Sequence, residues 1–254
     1  MKRLIVNADD LGRAPGINAG IRRAHREGIV TAATLMVAAP ASVAAGRLAR
    51  ELPGLDIGVH LALTYGRPIT APPRIPSLVE AGGGFPATPE AFLGTRRAVA
   101  EEALIEYRAQ YERARELLGH APTHLDSHHW LHDEPALEWA ITELARETGA
   151  PLRQHSAAQR DRFRAAGLRT PDVFRRDFQH SGHIDVSRLL TLLAEIGDGV
   201  TELMCHPGEP DAELTASSAY AADRPVELAT LCDPAVATAV RDLGITLATF
   251  ADCR

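Results

Sequence analysis

Cysteine is scarce in this chain. Its 254 residues hold three, Cys205, Cys232 and Cys253, too few and too scattered for a disulfide framework. Long apolar runs are missing too. No stretch approaches the ~20 residues needed to cross a bilayer. The run Leu4-Ile5-Val6 is too short for a secretory core, and no small-residue cleavage site follows it. These absences point to a reducing, cytoplasmic setting with no transmembrane segment. Positive charge is not in excess, and a net charge of −6 argues against a nucleic-acid-binding surface. The first apolar run is not followed by Gly-x-Gly-x-x-Gly, so the dinucleotide-binding fingerprint is lacking. Internal repeats and low-complexity tails are also missing. What remains is ordinary globular material, 45% hydrophobic and 24% charged. At this length residues 1–254 read as one domain with a full core.

Histidine is where the chain is rich. His124, His128, His129 and His132 fall within Thr123–His132, with Asp126 among them. Imidazoles at that density usually bind something, most often a metal. Two other places add weight: Asn7-Ala8-Asp9-Asp10 follows the first apolar run, and Gly58-Val59-His60-Leu61 ends another.

Short apolar runs alternate with helical patterns. Strands are expected at Leu4–Ala8, Ala33–Ala38, Asp56–Leu61, Thr123–Ser127, Leu152–His155, Val173–Arg175, Glu202–His206 and Thr246–Phe250. Helices are expected at Pro15–Glu27, Ala41–Glu51, Pro135–Thr148 and Val186–Ile196, with another inside Pro225–Leu243. This alternation implies an α/β fold with a parallel sheet, and a (β/α) barrel of seven or eight strands fits the length best. A Gly- and Pro-rich insertion, Thr64–Pro89, follows the His60 strand, where barrel loops shape substrate pockets.

Each candidate residue has a plain alternative. Asp9 and Asp10 are neighbours on an extended segment, so their side chains should point to opposite faces and do different work; Asp-Asp-x-Gly is equally good turn chemistry. A lone histidine in an apolar strand, as His60 is, is more often a satisfied core residue than a ligand. His124, Asp126 and His128 alternate and should share one face, with His129 on the other; a solvated polar turn is the alternative. His206, before Pro207-Gly208, is placed as a general acid or base, or as a turn residue. Arg153 needs a carboxylate if buried, and the first aspartates are candidates; a structural ion pair would serve equally. Cys205 and His206 are adjacent in a strand and point apart, so they do not make a nucleophile–base pair. His25, His120, His155, His180 and His183 read as surface or loop residues.

Taken in order, these motifs resemble the YdjC/ChbG carbohydrate deacetylase family. The segments that carry the resemblance are Leu4–Gly12, Gly28–Thr31, Gly58–Leu61, Pro122–His129, Leu152-Arg153 and Glu202–Gly208, with Ser218-Ala219-Tyr220 and Arg224–Leu228 near the end. Ala32–Pro40 also resembles the hopanoid-biosynthesis-associated branch. The resemblance implies a barrel related to polysaccharide deacetylases and hydrolysis of an N-acetyl group from an amino sugar or glycolipid. By position it implies Asp10, His60 and His128 as ligands of one divalent metal ion, Zn²⁺ first, with Mg²⁺, Mn²⁺ or Co²⁺ as alternatives. Asp9 becomes the catalytic base and His206 the protonating residue, while Arg153, Asp126 and Trp130 bind or orient substrate. Many members carry a third consecutive histidine where this chain has Trp130, a departure that touches substrate contacts more than the metal. Two other functions fit the same residues: a metal-dependent phosphoesterase on a similar barrel, and a non-enzymatic sugar-binding protein. The expected partner is a small acetylated amino-sugar substrate, and a homo-oligomer is compatible with these features.

Overall fold

Residues 1–95 and 97–254 are described in the structure, a computed structural model. In chain order the elements are β1 (Lys2–Leu11), α1 (Pro15–Glu27), β2 (Ala32–Leu35), α2 (Ser42–Glu51), β3 (Asp56–Leu61), α3 (Pro89–Thr95), α4 (Ala100–Leu118) and β4 (Leu125–Ser127). Then follow α5 (Pro135–Thr148), α6 (Ala157–Ala165), β5 (Val173–Arg175), α7 (Val186–Ala194), β6 (Gly199–Cys205), α8 (Ala212–Ser217), α9 (Arg224–Leu231), α10 (Pro234–Asp242) and β7 (Thr246–Leu247). Among the described residues no helix is long and apolar enough to cross a membrane.

Every paired strand is parallel, in the order β4-β3-β2-β1-β6-β5, with β7 added against β1. Leu4, Ile5 and Val6 of β1 are fully buried, as a central parallel strand covered on both faces must be. Helix boundaries follow local chemistry. Pro135 starts α5, where the Glu134 side chain caps the Leu137 N–H, and Gly149 closes it in the left-handed region at φ 68°.

The barrel expectation holds in part. The α/β class and a parallel half-barrel are there, but no ladder closes β4 onto β5 among the described residues. The expected strand Leu152–His155 is reduced to a single bridge, Leu125 to Leu152. The insertion 64–89 is strapped down onto α4: the Ile69 and Thr70 N–H groups donate to the two oxygens of Glu106 at 3.0 and 2.9 Å, and Ile75 and Leu78 are buried. The longest helix, α4, has no counterpart in the sequence reading. Its buried side includes Ala103, Leu104, Glu106, Tyr107, Gln110, Tyr111, Ala114 and Leu118, spaced as a helix requires but with only two leucines among small, aromatic and polar residues, which blurs the apolar stripe.

The carboxyl ends of β1, β3, β4 and β6 converge on one side of the sheet. His60 lies directly across the β3–β4 pair from Asp126, and Ala8 lies across from Cys205, the residue before His206.

Candidate active site

Asp9 and Asp10 reach the same centre because β1 is not regular there. The β1–β2 register slips between Ala8 and Leu11, and Asp10 adopts φ 70°. A bulge of this kind re-aims a side chain, and aspartate tolerates left-handed backbone better than most residues. The expected split of the two carboxylates to opposite faces is therefore corrected: the Asp9 and Asp10 carboxylates both lie within reach of His60.

Three donors then meet. Asp10 Oδ1 lies 3.2 Å from His128 Nδ1 and 3.6 Å from His60 Nε2, and those two nitrogens are 3.2 Å apart. Bonds of about 2.0–2.2 Å to one ion would space such donors by roughly 3–3.5 Å. Asp10 Oδ1 is buried without a well-formed hydrogen bond. His60 is oriented from behind: its Nδ1 lies 2.6 Å from Asp126 Oδ1, and Thr34 Oγ1 donates to Asp126 Oδ2 at 3.0 Å. A proton on Nδ1 turns the Nε2 lone pair towards the centre. Burial alone would lower the His60 pKa, but Asp126, Asp9 and Asp10 outweigh it and push it up to about 9. These carboxylates favour positive charge at Nε2, whether a proton or an ion in its place. His128 has few such neighbours, and burial lowers its pKa.

Beside this group lies a second, Asp9, His60 and Asp126, which already has its cation. Arg153, fully buried, donates from Nη1 and Nη2 to the two oxygens of Asp9 at 2.7 and 2.8 Å. Its Nη1 is also 2.8 Å from Asp126 Oδ2, and its Nε donates to Glu202 at 2.6 Å. Burial would raise the Asp9 pKa, but the guanidinium overrides it and holds the carboxyl well below the usual range. Glu202 keeps one oxygen unpartnered, and burial pushes its pKa up to about 7 against the pull of Arg153.

His206 follows β6, partly buried, with its pKa lowered to about 4 chiefly by desolvation. Its backbone N–H donates to Glu227 Oε2 at 2.5 Å, while its Nδ1 is 3.9 Å from Glu227 Oε1 and lacks a hydrogen-bond partner. Tyr220 donates its hydroxyl proton to Glu227 and accepts the His180 N–H. From α9, Arg224 donates to Asp10 Oδ2. Glu202, Tyr220, Arg224 and Glu227 have no assigned role in the sequence reading. The signal was present for all four, since Glu202 opens the segment Glu202–Gly208, and Tyr220 and the stretch from Arg224 to Glu227 fall in the C-terminal segment that carries the family resemblance.

Other histidines sort differently. His124 stacks on Phe250 at 3.6 Å and meets Asn7 Oδ1 at 3.0 Å, a core position away from the three donors. His129 and Trp130 both adopt left-handed backbone, φ 57° and 56°. That turn stacks His129 on His128 at 3.8 Å instead of facing it away. Trp130 is half-buried with the Arg176 guanidinium 4.6 Å over its ring. His155, expected at the surface, is buried against His132 at 3.9 Å.

Residues 3–242 match the family described as YdjC-like protein. The chain belongs to the YdjC-like family. A carbohydrate deacetylase from Geobacillus stearothermophilus is 41% identical over 247 residues, covering 97% of this chain and 96% of that one. A chitooligosaccharide deacetylase from Yersinia enterocolitica is 35% identical, covering 99% of each chain. Among solved structures, an Enterococcus faecalis protein described as a cellobiose-phosphate cleavage protein superposes with TM-score 0.91 at 34% identity, covering 98% of both chains. A CE4 esterase from Streptococcus mutans shares the fold alone, with TM-score 0.53 at 13% identity over 97% of this chain and 85% of that one. This YdjC-like chain thus shares its half-barrel fold with that CE4 esterase.

Proposed function

We propose that the protein is a metal-dependent deacetylase that hydrolyses the N-acetyl group of an amino-sugar-containing small carbohydrate or glycolipid. The observation that carries this is the convergence of Asp10 Oδ1, His60 Nε2 and His128 Nδ1, with Asp9 and His206 beside them. The names of the relatives support the substrate class. Three cysteines with no disulfide among them support a cytoplasmic enzyme.

Asp10, His60 and His128 would hold one divalent ion. Two imidazoles and a carboxylate suit Zn²⁺ best and also accept Mn²⁺, Co²⁺ or Mg²⁺. Bound there, the ion would supply Lewis acidity to the acetyl carbonyl and lower the pKa of a neighbouring water. Asp9, kept ionised by Arg153, takes the proton of the attacking water. Arg153 and Asp126 act as one frame, because the same guanidinium aligns Asp9 and braces the carboxylate that orients His60. His206 is neutral at rest; once it receives the proton that Asp9 takes from the water, the same desolvation makes its imidazolium a strong acid towards the departing amine. Trp130 binds or orients substrate from the turn after β4, where Arg176 lies over its ring.

Two tests follow from these roles. His60→Ala and His128→Ala are expected to take metal content from one ion per chain to none, and acetate release from N-acetylated sugars to background. A variant that keeps its ion overturns the ligand set. His206→Ala is expected to slow a sugar substrate by ~10²–10⁴-fold and an activated anilide, whose leaving group needs less protonation, by much less. Equal losses in kcat/KM on both would make His206 a positioning or oxyanion-stabilising group.

A further inference from the structure

We propose that Arg224 is a positioning residue that limits Asp10 to offering a single oxygen, Oδ1, to the ion. The inference rests on the metal reading above and deepens it.

An aspartate free to rotate can chelate a metal through both oxygens. Here Oδ2 is withdrawn: Arg224 Nη2 donates to it, and Arg13 Nη1 stands 3.6 Å from the same atom. Oδ1 alone is left facing the two imidazoles. The carboxylate is held from two sides, by the left-handed backbone of Asp10 at φ 70° and by a guanidinium with little freedom of its own. The Arg224 side chain is 2% exposed. Its stem packs so closely on Gly208 that a Cβ there would lie 3.2 Å from the Arg224 Cβ and Cδ. Its carbonyl accepts the Gly208 N–H at 3.3 Å. The guanidinium lies 5.7 Å over the Tyr220 ring.

A second observation separates this from an ordinary structural ion pair. Arg224 Nε and Nη1 are buried with no hydrogen-bond partner. Burying a guanidinium so poorly satisfied is costly, and a residue kept for packing alone would be better served by an apolar chain. Chemistry supplies the reason. Deacetylation needs room at the ion for both the attacking water and the acetyl oxygen, and a chelating Asp10 would occupy one of those places.

The test uses the full-length protein loaded with Co²⁺, whose visible absorption weakens as its coordination number rises. Wild type, Arg224→Met and Arg224→Lys are each expected to bind one ion per chain. The Met variant should lose visible intensity several-fold, with the Lys variant between it and wild type. Loss of such an outer partner typically costs about 10–100-fold in activity, and the cost is expected in kcat. The Lys variant keeps the charge and most of the stem, so it decides the matter if the Met variant does not fold. One ion per chain with unchanged spectra in both variants overturns this inference alone. A wild type that takes up no Co²⁺ overturns the metal reading and this inference with it.

Discussion

Asp9→Asn is expected to keep one ion per chain and to lower kcat/KM by at least ~10²–10⁴-fold, the usual contribution of a general base. The structure gives the reason for separating Asp9 from the ligands. Both of its oxygens are engaged by Arg153, at 2.7 and 2.8 Å, and Asn7 Nδ2 donates to one of them at 2.8 Å. Asp10 Oδ1 has only imidazoles before it. The substitution also turns an amide N–H₂ towards a guanidinium, so some loss of stability accompanies the loss of the base. Metal content measured beside kcat/KM settles the assignment. An Asn variant that loses its ion makes Asp9 a ligand, and one that keeps near-normal turnover removes it from the chemistry.

Arg153→Met is expected to be the most damaging single change to the fold near the site. One guanidinium compensates Asp9, Asp126 and Glu202, and removing one partner of a buried ion pair costs about 3–5 kcal/mol. For a chain of this size that corresponds to a drop in Tm on the order of 10 °C. The sign of the pH dependence follows. In the wild type the Asp9 pKa is held below its unfolded value, so its stabilisation is present above the unfolded pKa and is lost as pH falls through the folded one. Without Arg153, burial dominates and the folded pKa rises above the unfolded one. Desolvated neutral histidines such as His128 and His206 make both proteins lose stability on acidification, but the metal-free variant should lose less Tm than the metal-free wild type as pH falls from 8 to 5. Glu202, with its pKa near 7, already gives the wild type a smaller contribution against that loss between neutrality and its unfolded pKa. Thermal melts of both metal-free proteins across that range make the comparison. A variant whose Tm falls on acidification more steeply than that of wild type refutes the account.

Much of this was legible beforehand, for particular reasons. The elements 15–27, 56–61, 135–148 and 173–175 have the bounds read from sequence; Pro and Gly mark the ends of the two helices, and short runs containing β-branched residues mark the two strands. Pro225–Leu243, read as containing one helix, is two. The chain breaks at Asp233, whose side chain caps α10, and Pro234 begins it. Asp10, His60 and His128 stand at strand ends, where local pattern finds them. The bulge at Asp9-Asp10 could not be read, because it depends on how β1 meets β2 rather than on its own residues. The supporting layer was legible in part: a buried Arg153 needs a carboxylate, and the first aspartates were candidates, a pairing made with Asp9 across 144 positions. Arg224 meets Asp10 across 214, a pairing that follows from topology and that only the finished fold displays.

That span has a consequence for how the molecule comes into being. β1 is the first strand made, yet its neighbours include β6 and β7 near the other end of the chain. Until those are synthesised, one edge of this central, buried strand is open, and contacts so distant along the chain form slowly. The nascent protein therefore travels most of its length on the ribosome with an unsatisfied sheet edge, the state most prone to aggregation. His60 and His128 emerge well before Arg224, so metal captured early would meet Asp10 with both oxygens free, and the mature geometry would arise only when α9 docks.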